Sequence, residues 1–174
     1  RQNPEQLIAK TKKAAGIYLA DSTCDGNNVL ITYVSAYGYT KQMAESIAEG
    51  IRSELDCDVK VVDIEKIMLG ELEEMIVRSN AILIGSPTIN QNTVLPIYRL
   101  FSLINPIRDK GKKAAAFGSY GWSGEAVKLI EEQLKLLKFN IIQDGVSAKF
   151  SPGTEKREAL VEYGRTFARQ LADQ

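Results

Sequence analysis

Histidine is missing altogether from these 174 residues. That absence excludes a Ser-His-Asp or Cys-His relay, and any histidine-ligated zinc or iron site, within the chain. Cysteine is scarce as well: Cys24 and Cys57 each stand alone in a polar stretch. Two thiols without a framework spacing, and no apolar signal-peptide core, point to surface thiols in a reducing cytoplasm. No apolar run approaches the ~18 residues of a membrane span, so no membrane partner is expected. Charge of neither sign prevails, since 22 basic residues balance 22 acidic ones. A nucleic-acid binder would carry a basic excess or a lysine and arginine cluster, and neither is there. What remains, 44% hydrophobic and 25% charged residues, is ordinary for a globular protein. The length suits one compact domain with a short extra segment.

Asn3 and Pro4 suit the start of a helix, one as cap and the other at the first helical position. Leu7, Ile8, Thr11, Ala15 and Tyr18 then share a face. The polar stretch DSTCDGNN, 21–28, reads as a connector. It divides the chain into an N-terminal helix and linker, 1–28, and a domain, 29–174. The chain opens at Arg1 rather than at methionine, which fits a fragment or a processed product.

Beyond residue 28 the pattern alternates. A nearly continuous β-branched run at 29–34 has the character of a strand buried on both faces. Met43, Ile47, Ile51 and Leu55 follow as one helical stripe. Strands are expected at 59–64, 81–85 and 114–118, and a broken one at 141–150, interrupted at Asp144-Gly145. Between them lie helices with inward faces at Leu72, Met75 and Ile76, at Ile97, Leu100, Phe101 and Ile104, and at Val127, Ile130, Leu134 and Leu137. Thr154 is expected to cap a last helix that buries Leu160, Gly164, Phe167 and Leu171. Alternating strands and helices imply an α/β fold, a doubly wound five-stranded parallel sheet in the order 2-1-3-4-5 with helices on both faces. In such a sheet a ligand sits beyond the carboxyl ends of the strands, at the switch point. The loops after the first, third and fourth strands are therefore the ones to interrogate.

The first loop, Ser35-Ala36-Tyr37-Gly38-Tyr39-Thr40, runs straight into a helix. Its hydroxyls and free backbone N–H groups converge where the helix dipole favours an anion, and Gly38 permits a tight turn. A plain strand-to-helix turn capped by Thr40 would read the same way. With no lysine and no G-x-x-x-x-G-K-[ST] pattern, a phosphate monoester held by neutral donors fits better than a hydrolysed nucleotide. The second loop, Ser86-Pro87-Thr88-Ile89-Asn90-Gln91-Asn92, is uncharged, and it offers hydroxyls and amides to the edge of a planar heterocycle, or simply caps the helix near Pro96. The third, Gly118-Ser119-Tyr120-Gly121-Trp122-Ser123-Gly124, interleaves glycines with two large aromatics. Stacking a planar ring on Trp122 would add ~0.5–1.5 kcal/mol beyond area burial, and the other reading is an aromatic packed over the sheet end. Together the loops specify a phosphate at one end and a flat aromatic ring at the other, which flavin mononucleotide meets best.

From about Val29 onward the chain resembles a flavodoxin-like FMN domain. Within that superfamily SAYGYT, GSPTINQNTVLP and FGSYGWSGEAV resemble the flavodoxin module of the flavodiiron proteins, or A-type flavoproteins. The NPEQLIAK helix and its linker resemble the exit from those proteins' metallo-β-lactamase-like diiron domain. Simple flavodoxins read T-x-T-G-x-T in the first loop, whereas here Ser35 and Tyr37 replace two threonines and Gly38 and Thr40 match.

The resemblance implies that Ser35, Tyr37, Gly38, Tyr39 and Thr40 bind the FMN phosphate, largely through backbone N–H groups. It implies that Ser86, Pro87, Thr88, Ile89 and Asn90 meet the ring's edges, Thr88 and Asn90 as polar contacts. Ser119, Tyr120, Gly121, Trp122, Ser123 and Gly124 would wrap the other face, with Trp122 rather than Tyr120 as the stacking ring. No residue is then needed as a catalytic acid or base, no metal ligand is expected, and the cofactor carries the redox chemistry. None of the three loops holds an acidic residue, Glu125 being the nearest, so negative charge on a reduced ring meets little repulsion.

By the same resemblance the chain relays electrons from a donor such as rubredoxin or a reductase to a diiron centre that reduces oxygen or nitric oxide. That centre is ligated largely by histidines, so it belongs to a diiron domain of the parent protein outside this chain. The chain alone is then an electron carrier. The alternative is a stand-alone FMN-dependent NAD(P)H:quinone reductase, which shares the fold. A signalling receiver domain shares it too, but would carry acidic residues where Ser35 and Ser86 stand.

Overall fold

The apolar run that follows residue 28 has no polar face to offer water, and it becomes a central strand. The computed structural model describes residues 27–173, so the helix and linker expected over 1–28 lie outside the described residues apart from Asn27 and Asn28. In order, the elements are β1 (Asn28–Tyr33), α1 (Tyr39–Glu54), β2 (Asp58–Asp63), α2 (Leu69–Arg78), β3 (Ala81–Pro87), α3 (Leu95–Leu103), β4 (Lys113–Tyr120), α4 (Glu125–Leu136), β5 (Asn140–Ile141), β6 (Val146–Lys149) and α5 (Thr154–Ala172). The sheet runs β2-β1-β3-β4-β5, with β6 also on β4, and every pairing is parallel. This is the expected doubly wound order.

The expected broken strand at 141–150 is two short strands on one neighbour. Lys113 pairs with Asn140 and Ala114 with Ile141; further along, Phe117 pairs with Val146 and Tyr120 with Lys149. The offset grows from 27 to 29, so two extra residues are taken up at the Asp144-Gly145 interruption. A Cβ on Gly145 would stand 2.3 Å from Val127 Cγ1, which is why the break carries a glycine.

All seven residues of β3 are buried, as suits a strand covered on both faces. One core joins the sheet to α1 and α5 through Met43, Ile47, Ile51, Leu160 and Phe167. The other joins it to α2, α3 and α4 through Leu72, Ile76, Ile97, Leu100, Ile130 and Leu134. Helices α1 and α5 touch backbone to backbone. A Cβ on Gly50 would lie 2.0 Å from the Val161 carbonyl oxygen, and one on Gly164 would lie 2.1 Å from that of Ile47.

Four local expectations change. Gly153, not Thr154, holds the cap position of α5, and no side chain caps it. Gly38 likewise caps α1, which leaves Thr40 inside the helix. Strands β3 and β4 run two residues past their expected ends, pairing Ser86 with Gly118 and Pro87 with Ser119. Proline is tolerated there because the next ladder bond to β4 comes from the Thr88 N–H, which donates to the Ser119 carbonyl at 2.9 Å, so β4 needs no donor at position 87. Cys57 is half-buried against the α1–α5 core rather than on the surface, and burial pushes its thiol pKa up. Cys24 lies outside the described residues.

Candidate functional site: a cleft at the carboxyl ends of the strands

Strand β1 delivers the first loop to the start of α1. Gly38 turns it with a left-handed backbone, φ +83°. The Gln42 N–H is the first to bond within the helix, donating to the Gly38 carbonyl at 3.1 Å. Helix geometry therefore leaves the amides of Gly38, Tyr39 and Thr40 directed out of its end. No acidic side chain lies in the first turn to occupy that positive end. The Ser35 hydroxyl accepts a long bond from the Lys41 N–H at 3.4 Å. Thr40, expected at the phosphate, is buried with its hydroxyl 2.8 Å from that of Ser119, so the first and third loops are bonded to each other.

The second loop is built around buried hydroxyls. Thr93 donates to the Ser86 hydroxyl at 2.8 Å, and Ser86 donates to the Pro87 carbonyl at 2.8 Å. Ser86 is thus a brace beneath the site. Thr88 Oγ1 accepts the Ala126 N–H at 3.2 Å, so this loop satisfies one of the amides that α4 leaves unpaired at its amino end. Ile89 and Asn92 exchange backbone bonds of 3.0 Å across a tight turn. Asn90 and Gln91 at its tip both have positive φ, 52° and 58°. This is the primed hairpin geometry, which asparagine tolerates well. Tyr98 and the Thr93 N–H both donate to Asn92 Oδ1 at 2.8 Å, holding the turn's base.

In the third loop the glycines let rings lie on the backbone. A Cβ on Gly121 would stand 3.3 Å from the Phe150 ring, and one on Gly124 would stand 3.3 Å from that of Tyr120. Trp122 projects outward, 95% exposed.

The three loops enclose a cleft of about 260 Å³. Of the predicted residues, Tyr37, Tyr39, Pro87, Thr88, Ile89, Ser119, Tyr120 and Gly121 line it. Ser35, Gly38, Thr40, Ser86, Asn90, Trp122, Ser123 and Gly124 belong to the same loops but are not on its wall. Ala36 and Phe150 are on the wall without having been predicted. Phe150 had a readable signal: it ends the expected fifth strand, whose carboxyl end reaches the same edge of the sheet as the other loops. The walls carry no acidic side chain, and Lys149 Nζ stands 5.8 Å from the Phe150 ring centroid. A larger cavity of about 420 Å³ opens at the amino ends of the strands among Arg108, Lys110, Lys112 and Lys113. Its lining has no aromatic surface, whereas the carboxyl-end cleft joins ring-shaped walls to outward amides. These residues fit a ligand with an anionic end and a flat aromatic end.

The flavodoxin family model matches residues 31–164. The chain belongs to the flavodoxin family. This flavodoxin domain is 38% identical over 173 residues to the type A flavoprotein fprA of Rhodobacter capsulatus, covering 99% of the present chain and 39% of that protein. The chain thus spans about two fifths of that curated relative's length. Among solved structures it is similar to the rubredoxin oxygen:oxidoreductase of Desulfovibrio gigas, with a TM-score of 0.79 and 32% identity, over 84% of this chain and 36% of that one. It is also similar to a flavodoxin from the domain Archaea, with a TM-score of 0.71 and 33% identity, over 83% of this chain and 99% of the other. The chain is thus similar both to almost the whole of one flavodoxin and to about two fifths of a longer flavoprotein. Among the described residues no helix is long and apolar enough to cross a membrane, and no group of acidic or sulfur ligands is placed to hold a metal ion.

Proposed function

We propose that the domain binds FMN and passes electrons through it, from a donor such as rubredoxin or a reductase to a diiron centre outside this chain. The observation that carries the reading is the cleft itself, where outward amides at the α1 end stand beside Tyr37, Tyr39 and Tyr120. In this reading the amides of Gly38, Tyr39 and Thr40 hold the phosphate, aided by the Ser35 hydroxyl and the helix dipole. Thr88 and the Asn90 turn meet the ring's polar edge, while Ile89 gives it an apolar contact. The 119–124 loop wraps the ring, and the exposed Trp122 indole closes over it.

Bound flavin supplies the electron-transfer chemistry; the protein's residues bind it, orient it and set its electrostatics. Walls without carboxylates leave negative charge on the reduced ring unopposed, which narrows the gap between successive one-electron potentials. Residues 1–28 are read as the remnant of an upstream domain and 29–174 as the FMN domain, in keeping with the partial span of the relative. A reducing cytoplasm suits a chain whose described cysteine, Cys57, is a free thiol.

The test is uptake of FMN by the purified protein, followed by a redox titration. The expected result is a yellow protein that keeps FMN through gel filtration, takes electrons from reduced rubredoxin, and shows closely spaced one-electron steps. By itself it reduces neither oxygen nor nitric oxide at a metal. A protein that stays colourless with FMN overturns the reading; widely separated steps, the second very negative, overturn its electrostatic part.

A further inference from the structure

We propose that Phe150 is a wall of the flavin-ring site, fixed before the ligand arrives by a left-handed turn. The inference rests on the FMN reading above and adds a residue to it. Phe150 holds φ +54°, a region that a bulky side chain enters only where its surroundings enforce it. Three contacts do so. Its N–H donates to the Tyr120 carbonyl at 2.8 Å, one step beyond the pairing of Tyr120 with Lys149. Its ring edge lies over Gly121, where a Cβ would stand 3.3 Å away. The Lys149 ammonium stands 5.8 Å from the ring centroid, within cation–π range.

The strained backbone does not serve the hydrophobic core. Phe150 remains 55% exposed, and it lines the cleft together with Tyr120 and Tyr37. An unfavourable conformation that places an aromatic ring on a cleft wall, rather than in the interior, is explained by a planar ligand that later covers it. The ligand end involved is the ring and not the phosphate, because the outward amides lie on the first loop.

The experiment measures FMN and riboflavin affinities of the full chain by flavin fluorescence. Glycine at position 150 suits the left-handed backbone, so Phe150→Gly keeps the fold and melts no lower than the parent protein. It is expected to weaken FMN and riboflavin by the same factor, roughly five- to tenfold, the scale of an aromatic contact. Phe150→Trp is expected to restore both. Equal affinity of Phe150→Gly and wild type overturns the inference; so does a loss confined to FMN, or a Trp variant as weak as the Gly variant. If the wild-type protein takes up neither flavin, the FMN reading itself falls and the inference with it.

Discussion

Gly38→Ala isolates the proposed phosphate loop. A Cβ at this position meets nothing within 4 Å, so the substitution brings no collision. Its whole effect comes from the backbone, which sits at φ +83°. Holding an L-residue in the left-handed region costs about 1–2 kcal/mol. For a chain of this size each kcal/mol lowers the melting midpoint by roughly 2–4 °C. If alanine tolerates the strain, that loss of stability is the result. If it relaxes toward negative φ, the amides of Gly38, Tyr39 and Thr40 turn away from the anion. One hydrogen bond to a charged group is worth about 1.5–3 kcal/mol, or at least a tenfold change in affinity. Thermal melts separate the first outcome, and parallel titrations with FMN and riboflavin separate the second. Riboflavin lacks the phosphate, so its affinity should hold while that of FMN falls. A variant that melts with the wild type and binds both flavins equally well would refute the argument at its root.

Trp122→Ala should leave stability within ~0.5 kcal/mol, because the side chain is 95% exposed. It should weaken FMN binding and shift the midpoint potential, and unchanged affinity with an unchanged flavin spectrum would remove Trp122 from the site. Burial alone would raise the pKa of Asp109, yet hydrogen bonds from Arg108 and Lys112 outweigh it and hold the carboxyl below the usual range. A depressed folded pKa gives stability that is full above the unfolded value near ~3.9 and lost as pH falls through the folded one. Asp109→Ala should therefore cost about 3 kcal/mol at neutral pH by chemical denaturation and flatten the acid limb of the stability curve below pH ~4. An acid limb identical to that of the wild type would count against the pairing. Gly164→Ala places a methyl 2.1 Å from the Ile47 carbonyl oxygen, so α1 and α5 must part, at a cost of about 3 kcal/mol. A melt within a degree of wild type would show that the helices have slack.

Order and type of the elements were legible because each alternates in period: β-branched runs of strand length, then stripes at helical spacing. That three loops meet at one cleft followed, since topology dictates which loops share an edge. Strand ends were less legible. Ser86, Pro87 and Ser119 look like loop residues by composition, yet cross-strand pairing draws them into the sheet. Roles within the loops were least legible of all. Ser86 and Thr40 present hydroxyls in the sequence, but both are buried, the first bonded to Thr93 and the second to Ser119. Gly50 gave no sign of its contact, because the helix that needs it lies over a hundred residues away in sequence.

What the sequence determined by itself was the alternation of elements, the neutrality of the three loops and the absence of imidazole chemistry. These are properties of residue type and local spacing, which no folding can alter. Only the tertiary structure decided which of the loop residues face the cleft and which lie beneath it. It alone brought Phe150 to the wall, because that place depends on how two short strands share β4 across a two-residue slip. Such a slip is settled by packing between distant segments, through contacts like that of Gly145 with Val127.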